Sequence, residues 1–182
     1  MFYLLRHALS VTLLPGTVVI LVPLWITKRY GVELTWPRTA GEIAAAAGGV
    51  VLLIPGVILF AASLHRFFTS GRGTLAPWDP PARLVVAGPY RYVRNPMIAG
   101  VIFMLLAIAL LLRSRPHAAW AGIFILANAI YIPLLEEPDL AVRFGADYDR
   151  YRQHVRRFLP RLTPWTDAGA EGSSLHEDRS RI

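Results

Sequence analysis

Cysteine is absent from the chain, which excludes disulfides, thiolate metal sites and cysteine nucleophiles. Lysine is nearly absent too: Lys28 is the only one, so the formal net charge of +7 rests on arginine. Charge of either sign is scarce, at 17% of residues against about a quarter in ordinary soluble domains. The five histidines, His7, His65, His117, His154 and His176, never fall at metal-ligand spacing along a helix, which argues against a metal enzyme. No small-residue cleavage site follows the first apolar run, where Thr27-Lys28-Arg29-Tyr30 stands instead. That run therefore reads as a retained helix and not as a removable signal.

What the chain has in excess is apolar surface. Hydrophobic residues make up 54% of its 182 positions, more than a water-soluble domain of this size can hide, and lipid is the natural solvent for the remainder. Four stretches, Ala8–Thr27, Ile43–Leu64, Met97–Leu112 and Ala118–Leu135, carry no charge. Each approaches the ~20 residues that cross a bilayer as a helix, and only a helix pairs its own backbone groups in hydrocarbon. The expectation is an all-α, integral membrane bundle of about four transmembrane helices. Pro15, Pro23, Pro55 and Pro133 lie inside the spans, where they kink a helix without ending it. Ala44–Ala47 and Gly48-Gly49 give the second span a small-residue face suited to close helix contact.

The arginines lie between the spans, where they meet anionic headgroups; nucleic acid is not an expected partner. Arg6, the loop with Arg66, Arg72, Arg83, Arg91 and Arg94, and the segment from Arg143 to Arg161 are the basic regions. The positive-inside rule then puts both termini and that loop in the cytoplasm. After the fourth span, Leu140, Phe144, Tyr148, Tyr151 and Val155 recur at helical spacing within Asp139–Phe158, which predicts an amphipathic C-terminal helix on the membrane or folded under the bundle. The expected domain is 1–162, with 163–182 a disordered cytoplasmic tail rich in Gly, Ser and charge.

Two places carry candidate chemistry. Gly88-Pro89-Tyr90-Arg91-Tyr92-Val93-Arg94-Asn95-Pro96 runs directly into the third span. Pro96 suits a first helical turn and Asn95 its N-cap, so the free N–H groups favour an anion that Arg91 and Arg94 reinforce. The alternative is that these arginines snorkel to lipid phosphates. At the end of the fourth span stand Glu136 and Glu137. Carboxylates there oppose the helix dipole and are costly near hydrocarbon, so they either pair with the loop arginines or hold a polar, cationic ligand. Together the two places outline a site with an anion end and an acidic end.

The run Leu84-Val85-x-x-Gly88-Pro89-Tyr90-Arg91-Tyr92-Val93-Arg94-Asn95-Pro96-Met97, followed by Glu136-Glu137, Phe144-Gly145-x-x-Tyr148-x-x-Tyr151 and Val155–Pro160, resembles the isoprenylcysteine carboxyl methyltransferase and phospholipid methyltransferase superfamily, in its bacterial-type membrane enzymes. The resemblance covers about the C-terminal half of the chain. It implies an S-adenosylmethionine-dependent membrane methyltransferase of a bacterial inner membrane, with a lipid or other lipophilic small molecule as acceptor. The cofactor residues it implies are Arg83, Leu84, Val85, Tyr90, Asn95, Pro96, Met97, Ile98 and Glu136, with Arg91 and Arg94 toward the substrate and Glu137 as candidate base. The family's Arg-His-Pro-x-Tyr reads Arg94-Asn95-Pro96-Met97-Ile98 here. Ile132 stands where the isoprenylcysteine enzymes carry an arginine, which moves the expected acceptor toward a lipid amine or other apolar small molecule. The other function classes are an NADPH-dependent membrane reductase, its 2′-phosphate held by these arginines, and a non-catalytic membrane protein.

Overall fold

The computed structural model describes residues 12–70 and 84–166. All secondary structure in them is helical. Two helical stretches, Ala40–Arg66 and Arg115–His154, are long and apolar enough to cross a membrane, and Pro96–Leu111 is a shorter apolar helix.

The first predicted span begins outside the described residues. From Thr12 to Leu21 it is a wide, π-type helix that continues into α1 (Val22–Tyr30). Proline explains the widening, because its ring collides with the carbonyl four residues back and it has no N–H to donate. In a π turn Val18 would be paired with the N–H of residue 23, which is Pro23; the Trp120 indole N–H donates to the Val18 carbonyl instead, at 3.1 Å. His117, only 2% exposed, adds a second pin: its Nε2 donates to the Pro23 carbonyl at 3.1 Å, and its Nδ1 lies 2.7 Å from the Ser114 hydroxyl. Gly31, left-handed at φ 60°, closes α1, as glycine can at no steric cost.

The second helix, α2 (Ala40–Ser70), is longer at both ends than its uncharged stretch. Thr39 and Glu42 start it as a capping box: Glu42 N donates to Thr39 Oγ1 at 3.2 Å and Thr39 N to Glu42 Oε2 at 3.2 Å. It packs most extensively on α3 (Pro96–Leu111). At their crossing Gly56 faces Gly100, and a Cβ on Gly100 would stand 2.9 Å from the Gly56 carbonyl oxygen and from Phe60 N. The small face read in the sequence contributes higher up, where Gly49 abuts Leu111 and the Ala107 carbonyl. Val101, Met104, Leu105 and Ala121 form the core between α3 and α4 (Arg115–Tyr131).

A π turn, Ile132–Glu136, joins α4 to α5 (Glu137–His154). Glu137 N donates five residues back, to the Ile132 carbonyl, and Pro138 supplies the reason by the same steric rule. The apolar part ends at Leu135, and α5 is the predicted amphipathic helix in direct continuation of the fourth span. Its face is as read: Tyr148, Tyr151 and Val155 are buried, with Leu140 and Phe144 packed against them. It ends at His154, short of Phe158, and it bends at Gly145, where φ 51° and ψ −128° interrupt the helix. Only glycine adopts this mirror-image extended conformation without strain. Gly145→Ala is expected to destabilise the protein by about 1–3 kcal/mol, read as a lower thermal midpoint in detergent; an unchanged midpoint would mean the bend is dispensable.

Candidate active site

The segment before α3 is built by short-range rules. Gly88 takes φ 56°, Pro89 opens a 3-10 turn (Gly88–Arg91), and Arg66 from α2 lies where a Gly88 side chain would be. The chain then enters α3 at Pro96, the predicted first helical residue. Asn95 stands at the N-cap position, but its side chain makes no capping hydrogen bond. Its ψ of 60° departs from the extended geometry that swings a cap side chain over the first turn.

The predicted meeting of this entrance with the paired carboxylates is realised through one contact. Arg94 Nη1 lies 3.0 Å from Glu137 Oε1, and the two side chains are 11% and 12% exposed. Arg94 Nη1 also donates to the Tyr148 hydroxyl at 3.1 Å, whereas its Nε is buried with no hydrogen-bond partner among the described residues. Glu137 is held a second time, from the other side. Arg157 grips it bidentately, Nε to Oε1 and Nη2 to Oε2, both at 2.7 Å. Burial alone would raise the Glu137 carboxyl, but the Arg157 hydrogen bonds and the Arg94 charge hold it below the usual carboxylate range. The same contact raises Arg157.

Glu136 is different. Among the described residues no cation lies within ion-pair distance of it. The Tyr90 hydroxyl is pushed up by burial and further by the charge of Glu136, so these two groups share one electrostatic environment. Tyr90 is fixed from behind, because the Tyr151 hydroxyl donates to its carbonyl at 2.6 Å.

Residues past α5 close the arrangement. Arg94 N donates to the Arg156 carbonyl, Arg161 N to the Tyr92 carbonyl and Trp165 N to the Arg91 carbonyl, at 3.0, 2.9 and 2.9 Å. Arg91, expected near the substrate, donates its Nε to the Trp165 carbonyl at 2.8 Å. Trp165 is buried against Tyr151 and His154. Residues 155–166 thus form a strap along the Arg91–Arg94 segment, reaching past Leu162, where the sequence sets the domain boundary. The remainder of the expected tail, 167–182, lies outside the described residues.

Of the other residues carried over by resemblance, Val85 and Pro96 are buried, and Asn95, Met97 and Ile98 are half-buried around the start of α3. Leu84 packs on the Tyr148–Trp165 cluster. Arg83 lies outside the described residues. Tyr148, Arg157 and Trp165 belong to the network without having been singled out for it. Arg157 stands in a run of tail arginines, and nothing local marks which of them turns inward.

A model of the phospholipid methyltransferase family matches residues 44–147, more than half of the chain. The chain belongs to the phospholipid methyltransferase family. It is therefore an S-adenosylmethionine-dependent membrane methyltransferase with a lipid acceptor, which decides among the three function classes left open by the sequence. No curated protein and no solved structure matches the chain. As a phospholipid methyltransferase it keeps α3, α4 and the two glutamates inside the matched region, whereas the strap lies beyond it.

Proposed function

We propose that the cofactor binds at the junction of the Tyr90–Ile98 segment with Glu136, and that the acceptor is a lipid amine presented from the bilayer. In this reading four helices cross the membrane and the junction faces the cytoplasm, as the arginine distribution supports. The single observation that carries the assignment is the contrast between the neighbouring glutamates: Glu137 is clasped by two guanidinium groups, while no described cation engages Glu136. A half-buried carboxyl without a partner is costly, and a ligand with hydroxyl or ammonium groups offsets that cost. The Nε of Arg94, buried and without a partner among the described residues, lies next to the α3 N-terminus and offers a donor to a carboxylate. The residues present therefore fit an amino-acid-bearing nucleoside at both its acidic and basic ends.

When bound, S-adenosylmethionine supplies an electrophilic methyl group on a sulfonium. The chain's own contribution is to position the partners, exclude water and move one proton. A lipid ammonium has no free lone pair, so it must lose a proton before it can accept a methyl group. Glu136 takes that proton in our assignment, leaving a neutral amine and a protonated carboxyl. Glu137, whose two oxygens are already committed, is the weaker base. Ile132, fully buried, offers no charge to an acceptor carboxylate, which supports an amine over a prenylated C-terminus.

Titration calorimetry of the detergent-solubilised protein with S-adenosylhomocysteine tests the site. Glu136→Ala is expected to weaken binding at least tenfold, about 1.4 kcal/mol. Equal affinity in wild type, Glu136→Ala and Arg94→Gln would remove the assignment. Incubation of a lipid extract with methyl-labelled cofactor is expected to label amine headgroups; label confined to carboxyl esters would overturn the acceptor class.

A further inference from the structure

The strap has a role that follows from counting charge. Arg94 and Glu137 by themselves form a neutral pair, and a neutralised Arg94 has little attraction left for an anionic ligand. With Arg157 bidentate on Glu137, two guanidinium groups share one carboxylate and the trio carries a net charge of +1. Arg152, the other cation that Glu137 senses, is itself paired with Asp149 at 2.9 Å. Resting on the cofactor assignment above, we propose that Arg157 is a positioning residue: by taking over Glu137 it leaves Arg94 with an uncompensated positive charge and a free Nε donor for the carboxylate of the cofactor. Trp165 is the anchor that keeps Arg157 in place, through its burial on Tyr151 and His154 and its backbone pairing to Arg91.

A positioning role and a purely structural role for Arg157 have different consequences for two ligands. S-Adenosylhomocysteine carries the carboxylate, and methylthioadenosine keeps the nucleoside and thioether without it. Arg157→Gln is expected to weaken S-adenosylhomocysteine roughly tenfold, the order of effect of one unit charge across ~10 Å at an effective dielectric of about 20. Methylthioadenosine should bind as it does to wild type. Arg157→Lys keeps the charge and should recover most of the loss, at higher salt sensitivity because a lysine cannot reproduce the bidentate grip. The double variant Arg157→Gln/Glu137→Gln returns the trio to +1 through Arg94 alone, and should regain affinity relative to Arg157→Gln. Thermal midpoints of the ligand-free proteins separate these effects from folding.

Equal loss of both ligands in Arg157→Gln, or no recovery in the double variant when its midpoint is intact, would overturn the charge argument. If Arg94→Gln lowers the affinity for S-adenosylhomocysteine and Arg157→Gln does not, this inference fails while the site assignment stands. If neither Arg94→Gln nor Glu136→Ala changes affinity, the site assignment itself has failed.

Discussion

Glu137→Ala is expected to cost about 3–5 kcal/mol of stability, which for a chain of this length corresponds to a fall of about 10 °C in thermal midpoint. The reason is the state it leaves behind. Arg94 is 11% exposed and Arg157 31%; removing their shared carboxylate strands one buried guanidinium and frees another. The strap loses its side-chain clasp on α5 at the same point, and only the packing of Tyr148, Tyr151 and Trp165 and the hydrogen bonds to the Arg91–Arg94 segment are left to hold it. Glu137→Gln keeps the volume and the hydrogen-bond acceptor of one oxygen, and should lose roughly half as much. The difference between wild type and Glu137→Gln also has a pH dependence of known sign. The folded-state carboxyl is depressed, so its contribution is complete above the unfolded value of about 4.3 and is lost as pH falls through the lower folded value. Unfolding of detergent-solubilised protein followed by helical circular dichroism measures all three. A drop below about 1 kcal/mol for Glu137→Ala would show that the triad behaves as a solvated surface pair.

Gly100→Val is expected to prevent α2 and α3 from packing. The first added carbon already lies 2.9 Å from two backbone atoms, the Gly56 carbonyl oxygen and Phe60 N, and backbone in the middle of a helix cannot move aside as a side-chain tip can. Overpacking in a close-packed interior costs ~1–3 kcal/mol when the neighbours are side chains; here the helices must separate, so a loss above about 3 kcal/mol and poor recovery of folded protein are expected. Two glycines in other helices provide the controls. Gly48→Ala meets only Leu110 Cδ1, at 3.7 Å, and Gly122→Ala meets nothing within 4 Å. Both should be neutral or stabilising by up to about 1 kcal/mol, as expected for glycine in a helix. Comparable damage from all three would locate the sensitivity in helix propensity and not in the crossing.

The consequence for chemistry is indirect but specific. The α2–α3 crossing fixes where α3 begins, and therefore where Arg94, Asn95 and Pro96 stand relative to the end of α4. A variant that keeps the membrane helices but shifts this crossing should lose cofactor affinity before it loses helical content, since the Arg94–Glu137 contact depends on where α3 begins.

How much of this could be read from the amino acids depends on the range over which each feature is set. Composition and run length dictated lipid as solvent and helices as elements, because a charge-free stretch of bilayer length has one way to satisfy its backbone. The start of α3 at Pro96 and the inward face of α5 follow from local spacing. The motif from Leu84 to Met97 together with Glu136-Glu137 led to the correct family. By contrast, the unequal pairing of Glu136 and Glu137 was decided by the tertiary structure, since it depends on which guanidinium arrives from twenty residues away. The same holds for Asn95, which occupies the cap position without capping, for the bend at Gly145, and for Trp165, whose place in the core requires the strap to turn back on Arg91–Arg94. Helix periodicity is a property of neighbours along the chain; the pairing of a buried charge is a property of neighbours in space.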